Sequence, residues 1–142
     1  MDAITYLRHE HSKVRNALAA ISKISNEKIR LNKFNALCKD LARHEAMEEK
    51  VWYPVLRKDP DMRDIIKHLI AEEKSAAKAI SVIKKTEYGV IWRLRFYKFK
   101  NDVEHHAKSE EKELFPKARK YLTKAEAMAL GTKMQKFKAS RK

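Results

Sequence analysis

Apolar residues recur along this chain at spacings of three and four, the period of a helix with one buried face. The first such stripe is Ile4, Leu7, Val14, Leu18 and Ile21, and it predicts a helix from about Asp2, its N-cap, to about Ser25. The second, Phe34, Leu37, Leu41, Val51 and Val55, predicts a helix from near Glu27 to about Leu56. Asp59-Pro60-Asp61 then reads as a turn and a new N-cap. The third stripe, Ile66, Leu69, Ala76, Ile80 and Ile83, predicts a helix over about 62–85, closed before Gly89. The fourth, Trp92, Phe96, Phe99 and Val103, predicts a helix over about 90–121. It weakens at Glu113, where Leu114 takes over. Thr123 with Glu126 reads as a capping box that starts a last, short helix to about Phe137. The expected fold is all-α: an antiparallel up-down four-helix bundle with a short fifth helix. It forms a single domain over 1–142, with helix hairpins at about 2–56 and 62–121 and a C-terminal helix at about 124–137.

Every stripe is broken by residues that bind metals. His11 interrupts the first, His44 and Glu48 the second, Glu73 the third, and His106 and Glu110 the fourth. An ionised carboxylate in an apolar core is costly unless it is paired or bound to metal. Three carboxylates and three imidazoles, spread over four helices, call for a shared explanation. A dinuclear metal site provides one, because bundle cores hold such sites by inward-facing carboxylates and imidazoles.

Composition narrows the class. Only two glycines and three prolines occur in 142 residues, and strand patterns are missing, which agrees with helices throughout. Cys38 is the only cysteine, so no disulfide forms within the chain, and a reducing cytoplasm is the expected compartment. Cys38 itself reads as a small buried filler. No apolar run approaches the roughly 20 residues of a membrane span. There is no nucleotide loop, no Ser/His/Asp arrangement and no thiol pair, so no catalytic residues are assigned and any chemistry belongs to the metal. The net charge of +14 leaves a second reading open: a basic module for nucleic acid or an acidic partner, with metal as a structural clip. The basic residues are spread along the chain, with one dense tail at Lys136, Lys138, Arg141 and Lys142.

The metal-ligand residues lie in a repeat. His44-Glu45-Ala46-Met47-Glu48-Glu49-Lys50-Val51-Trp52-Tyr53-Pro54 matches His106-Ala107-Lys108-Ser109-Glu110-Glu111-Lys112-Glu113-Leu114-Phe115-Pro116. The shared frame is H-x-x-x-E-E-K-x-x-aromatic-P, at an offset of 62 residues. The same offset carries His11 to Glu73, so the chain reads as two related hairpins, each supplying three ligands. His at one position and Glu four residues on share a helix face, one turn apart. One helix can then give a nitrogen to one metal and a carboxylate that reaches the other. Imidazole and carboxylate without thiolate suit iron or manganese. Zinc, with its preference for four ligands, fits six less well. Pro54 and Pro116 are expected to kink their helices at the closing end of the bundle.

These residues resemble the hemerythrin-like, HHE cation-binding family. The marks are Glu10-His11 on the first helix and the two H-x-x-x-E-E…(Tyr/Phe)-Pro strings, and the resemblance runs through Leu130-Gly131. It implies a four-helix bundle around two iron ions with an oxo or hydroxo bridge, with manganese or zinc as alternatives. It also implies His11, His44, His106, Glu48 and Glu110 as ligands, with Glu48 and Glu110 bridging. The third helix departs from the family pattern: Glu72-Glu73 stands where a Glu-His pair is usual, and Leu69 and Ala77 stand one turn from Glu73. The expected metal set is therefore His11, His44, Glu48, Glu73, His106 and Glu110. Hard anionic oxygens favour the more oxidised metal. That moves the expected function from oxygen carriage toward sensing or scavenging of oxygen, nitric oxide, peroxide or iron, with a small diatomic or peroxide as ligand. Glu10, Glu45, Glu49 and Glu111 flank the stripes and could orient ligand imidazoles. His9, His105 and the pair His68 and Glu72 are read as flanking, and Tyr6 as a residue within reach of the site from the first helix.

Overall fold

The computed structural model describes residues 1–141, so Lys142 of the expected basic tail lies outside the described residues. The apolar stripes become five helical rods, with no strand among the described residues. The first is α1 (Ala3–Lys23), whose N-cap Asp2 accepts a hydrogen bond from the Thr5 amide. The second is α2 (Glu27–Met47), which runs through a π-helical turn (Glu48–Trp52) into α3 (Tyr53–Leu56). Asp59 caps α4 (Pro60–Lys84). The fourth rod is α5 (Val90–Ser109), a second π turn (Glu110–Leu114) and α6 (Phe115–Tyr121). The capping box of Thr123 and Glu126 is formed, and it starts α7 (Lys124–Ser140). Short turns at 24–26, 57–59 and 85–89 join the first four rods, which makes successive rods antiparallel.

The two π turns explain where the stripes slip. The helix-count pattern predicts Val51 and Val55 in the core, yet both are only half-buried, while Trp52, Tyr53 and Leu56 are fully buried. The Tyr53 amide donates to the carbonyl of Glu48, five residues back, and the Phe115 amide does the same to Glu110. The extra residue in each turn advances the buried positions by one. The cause lies at Pro54 and Pro116, which have no N–H and whose rings clash with the carbonyl four residues earlier. Widening the turn relieves that clash without breaking the rod. The expected kink is therefore a π turn, and it sits directly against Glu48 and Glu110.

The fifth helix forms from the predicted cap, over 17 residues, and extends a turn past Phe137. It lies against α1, α2 and the first π turn. Gly131 permits the approach: a Cβ there would stand 2.2 Å from the Met1 carbonyl oxygen and 3.0 Å from the Ala3 nitrogen. Gly131→Ala is expected to lower stability by about 1–3 kcal/mol through overpacking against backbone that cannot yield. Thermal melting tests this, and an unchanged midpoint would show that α7 does not dock there.

The core has two apolar layers. One holds Leu7, Met47, Trp52, Leu69 and Leu114 together with the inner face of α7. The other holds Val14, Leu41, Phe96, Phe99 and Val103 at the opposite end. Between them, on all four rods, lies a layer of buried polar side chains. No described helix is long and apolar enough to cross a membrane.

Candidate metal centre

The polar layer contains all six residues expected from the sequence. Glu48 and Glu110 are fully buried, and His11, His44 and Glu73 are nearly so. His106 is half-buried. The six fall into two triads: His11, His44 and Glu110 form one, and Glu48, Glu73 and His106 the other. Within each triad the potential donor atoms lie within 4.8 Å of one another.

Their polar atoms are short of partners. His11 Nε2, both oxygens of Glu48, Glu73 Oε1, His106 Nε2 and Glu110 Oε1 are buried without a well-formed hydrogen bond. They crowd together: His11 Nε2 is 2.9 Å from Glu110 Oε1, and His44 Nε2 is 3.1 Å from Glu48 Oε1. Unsatisfied buried groups are rare in native proteins, and each costs about 1–3 kcal/mol. Atoms from five of the six residues, left unpaired in one layer, fit metal ions, whose charge and open coordination would satisfy them together.

Each imidazole is held from behind by a carboxylate. His11 Nδ1 is 2.7 Å from Glu111, which Arg15 grips in turn at 2.9 Å. His44 Nδ1 is 3.3 Å from Glu10, and His106 Nδ1 is 3.0 Å from Glu72. A carboxylate on Nδ1 keeps that nitrogen protonated and turns Nε2 toward the centre. Glu10 and Glu111 thus do orient imidazoles, as their flanking positions suggested. Glu72 does too, and it is the exposed His68 that stands outside, 3.4 Å from Glu72. Glu49, His9 and His105 are exposed. Tyr6 stands beside Glu10 rather than in either triad; burial and the charges of Glu10 and Asp40 push its hydroxyl up to about 12. Cys38 is buried, and burial holds its thiol up to about 11.

The electrostatics show how crowded the layer is without a cation. Burial, then the charges of Glu110 and Glu73, push the Glu48 carboxyl well above the usual range. Glu110 goes the other way: burial would raise it, but Glu48 as a hydrogen-bond donor and the His11 and His106 charges hold it low. The two buried carboxyls are thus pushed in opposite directions. Burial would lower His106, but Glu73, Glu110 and Glu72 outweigh it and hold it at about 9. Burial and the neighbouring charge of Glu73 lift Glu45 to about 8.

Sequence reasoning missed Tyr53. Its hydroxyl lies 3.0 Å from Glu73 and 3.2 Å from Glu110, so its one proton can go to either carboxylate and it links the two triads. Burial first, then the charges of Glu48, Glu110 and Glu73, hold it protonated well above the ordinary value. The aromatic slot of the repeat marks the position. However, five residues past Glu48 an α-helix would point it off the ligand face, and only the π turn brings it round. Its counterpart Phe115 stacks on the His11 ring, 5.8 Å away and nearly parallel.

A cavity of about 240 Å³ adjoins the centre, with Arg15, Glu104 and His105 among its lining residues. His11, His44, Glu73 and His106 form its floor, and Val14, Leu41, Ala76 and Phe99 are among its apolar walls. The polar layer thus borders open space large enough for a small ligand.

Comparison with known proteins agrees with this fold. The model of the hemerythrin HHE cation binding domain matches residues 2–118. No curated protein matches the chain. Among solved structures, a hemerythrin HHE cation binding domain-containing protein from Mycobacterium kansasii is similar, with a TM-score of 0.83 and 26% identity. That match covers 99% of this chain and 89% of the other.

Proposed function

The chain belongs to the hemerythrin HHE cation-binding family, and from that premise we propose that its core holds two iron ions and uses them to sense or scavenge a small oxidant or diatomic ligand. His11, His44 and Glu110 would hold one ion, and Glu48, Glu73 and His106 the other. The carrying observation is the single layer of unpaired, buried imidazole and carboxylate atoms, grouped by threes. Manganese satisfies the same donors, and zinc satisfies them less well. A bound iron pair would supply electron transfer to oxygen, nitric oxide or peroxide. The protein's own residues do the rest. Glu10, Glu111 and Glu72 fix the imidazoles, Tyr53 holds a proton between Glu73 and Glu110, and the apolar walls of the cavity limit water. The single cysteine suits a reducing cytoplasm.

Glu73 supports sensing or scavenging over carriage. It adds an anionic oxygen to a triad that already has Glu48, which favours the oxidised metal. Glu73→His is expected to raise the reduction potential, read by redox titration, and an unchanged potential would remove this argument. The central test is elemental analysis of protein purified without added metal, with its visible spectrum. About two irons per chain with a charge-transfer band is the expected result. A single zinc, or no metal after growth in iron-rich medium, would overturn the reading.

A further inference from the structure

The buried lysine of the last helix has no place in the site as described so far. Lys138 belongs to the stretch that the sequence presents as a basic tail, yet it is only 9% exposed. A lysine taken out of water costs several kcal/mol unless its charge is met. Here it is met twice. The Lys138 ammonium donates to Glu10 Oε1 in a very short contact and to Asp40 Oδ1 at 3.0 Å. Glu10 Oε1 is the same oxygen that faces His44 Nδ1. Lys13 approaches the other oxygen of Glu10 only at 3.9 Å and is exposed, so Lys138 is the close cation.

We infer that Lys138 is a positioning residue of the metal centre: through Glu10 it fixes the His44 imidazole, and so makes α7 part of the site. The inference rests on the metal reading above. Three features carry it. Lys138, Glu10 and His44 form one unbroken buried chain from α7 through α1 to α2. Gly131 docks α7 tightly enough against α1 to hold the ammonium in place. The same device occurs on the other imidazole of that triad, where Arg15 grips Glu111 behind His11. Among the described residues, no lysine or arginine contacts Glu72 behind His106, and His68 and His105 lie beside it. The cation matters because it fixes where Glu10 sits, and it draws electron density from the carboxylate that polarises His44. Helix α7 lies beyond residues 2–118, so this contribution comes from outside the shared domain core.

The test compares wild type with Lys138→Met, Lys136→Met and Asp40→Asn, each loaded with Fe(II) or with Co(II) as a spectroscopic probe. Metal affinity is read by chelator competition. Lys138→Met is expected to weaken binding roughly ten- to a hundredfold and to shift the Co(II) visible spectrum. Lys136→Met, exposed on the same helix, should change neither. Asp40→Asn leaves the Lys138–Glu10 contact and should stay within about twofold of wild type. If Lys138→Met destabilises the metal-free and loaded proteins equally, with affinity and spectrum unchanged, Lys138 is a plain buried ion pair and the inference falls. If Lys138→Met does not fold, Lys138→Arg must shift the spectrum by moving Glu10, and an unaltered spectrum overturns the inference. Wild type that takes up neither metal removes the metal reading and this inference together. Wild type that loads alongside an indistinguishable Lys138→Met removes this inference alone.

Discussion

Glu48→Gln is expected to abolish paired metal uptake while making the metal-free protein more stable. The two effects have opposite signs because one carboxyl serves the metal at the expense of the apoprotein. Without a cation, Glu48 is fully buried, neither of its oxygens has a proper partner, and burial with Glu110 and Glu73 pushes its carboxyl well above the usual range. The unfolded chain ionises the same group near its ordinary value of 4.5. Folding therefore favours the protonated form, and that preference costs stability as pH rises above the ordinary value. Glutamine is neutral from the start and removes that linkage. It still buries an amide with few partners, which offsets part of that gain. The remainder should appear as a rise of several degrees in the metal-free melting temperature at pH 7. The gain should vanish near pH 4, where both states hold the proton. Glutamine cannot supply an anionic oxygen, so metal content should fall to one ion or none. A variant that still carries two irons would break the assignment of Glu48. A metal-free variant less stable than wild type at pH 7 would mean that Glu48 acts as a structural partner of His44.

The same conflict between folding and function made much of the site legible in the sequence. A carboxylate or imidazole in a helical apolar stripe stands out because it opposes the period around it, and all six interruptions lie in one layer. The repeat offset of 62 residues then favoured Glu73 over His68 on the third helix. The local turn geometry was not legible. Apolar spacing assumes 3.6 residues per turn, so it placed Val51 and Val55 inward and left Tyr53 out. The prolines signalled a disturbance at the right place, but a kink and a π turn leave the same mark on a sequence. Lys138 was hidden for a different reason. A lysine near a chain end reads as solvated by default. Only the approach of α7 at Gly131, a contact between residues about 130 positions apart, brings its ammonium to Glu10.

Metal-free protein is expected to lose stability as the pH rises from about 5 to 9, and metal should abolish that slope. Two groups set the window. Glu45 is held at about 8 against an ordinary 4.5, by burial and then by the charge of Glu73. Between those values the native state holds a proton that the unfolded state has released, so a cost grows with pH and is complete above 8. His106 is held at about 9 against an ordinary 6.5: burial opposes its charge, and the carboxylates of Glu73, Glu110 and Glu72 prevail. Its ion-pair contribution is fully present below 6.5 and lost as pH climbs through 9. Both trends point downward over the same range, and Glu48 adds to them. The acid side has the opposite sign. Burial would raise Glu10, but His44 and Lys138 hold it at about 2, so its contribution is present above 4.5 and lost as pH falls toward 2. The metal-free optimum should thus lie at about pH 5, below the neutral range where many proteins are most stable. Cations in the two triads reverse the basic limb, because they replace the protons on Glu48 and His106. Metal uptake at pH 7 should then release about one or more protons per chain, and apparent affinity should strengthen with pH. Urea midpoints across pH, with and without iron, check the first statement. Calorimetry in buffers of different ionisation enthalpy checks the second. Metal binding without proton release would mean that the ions do not displace the protons favoured at Glu48 and His106, and so do not sit in the layer assigned to them.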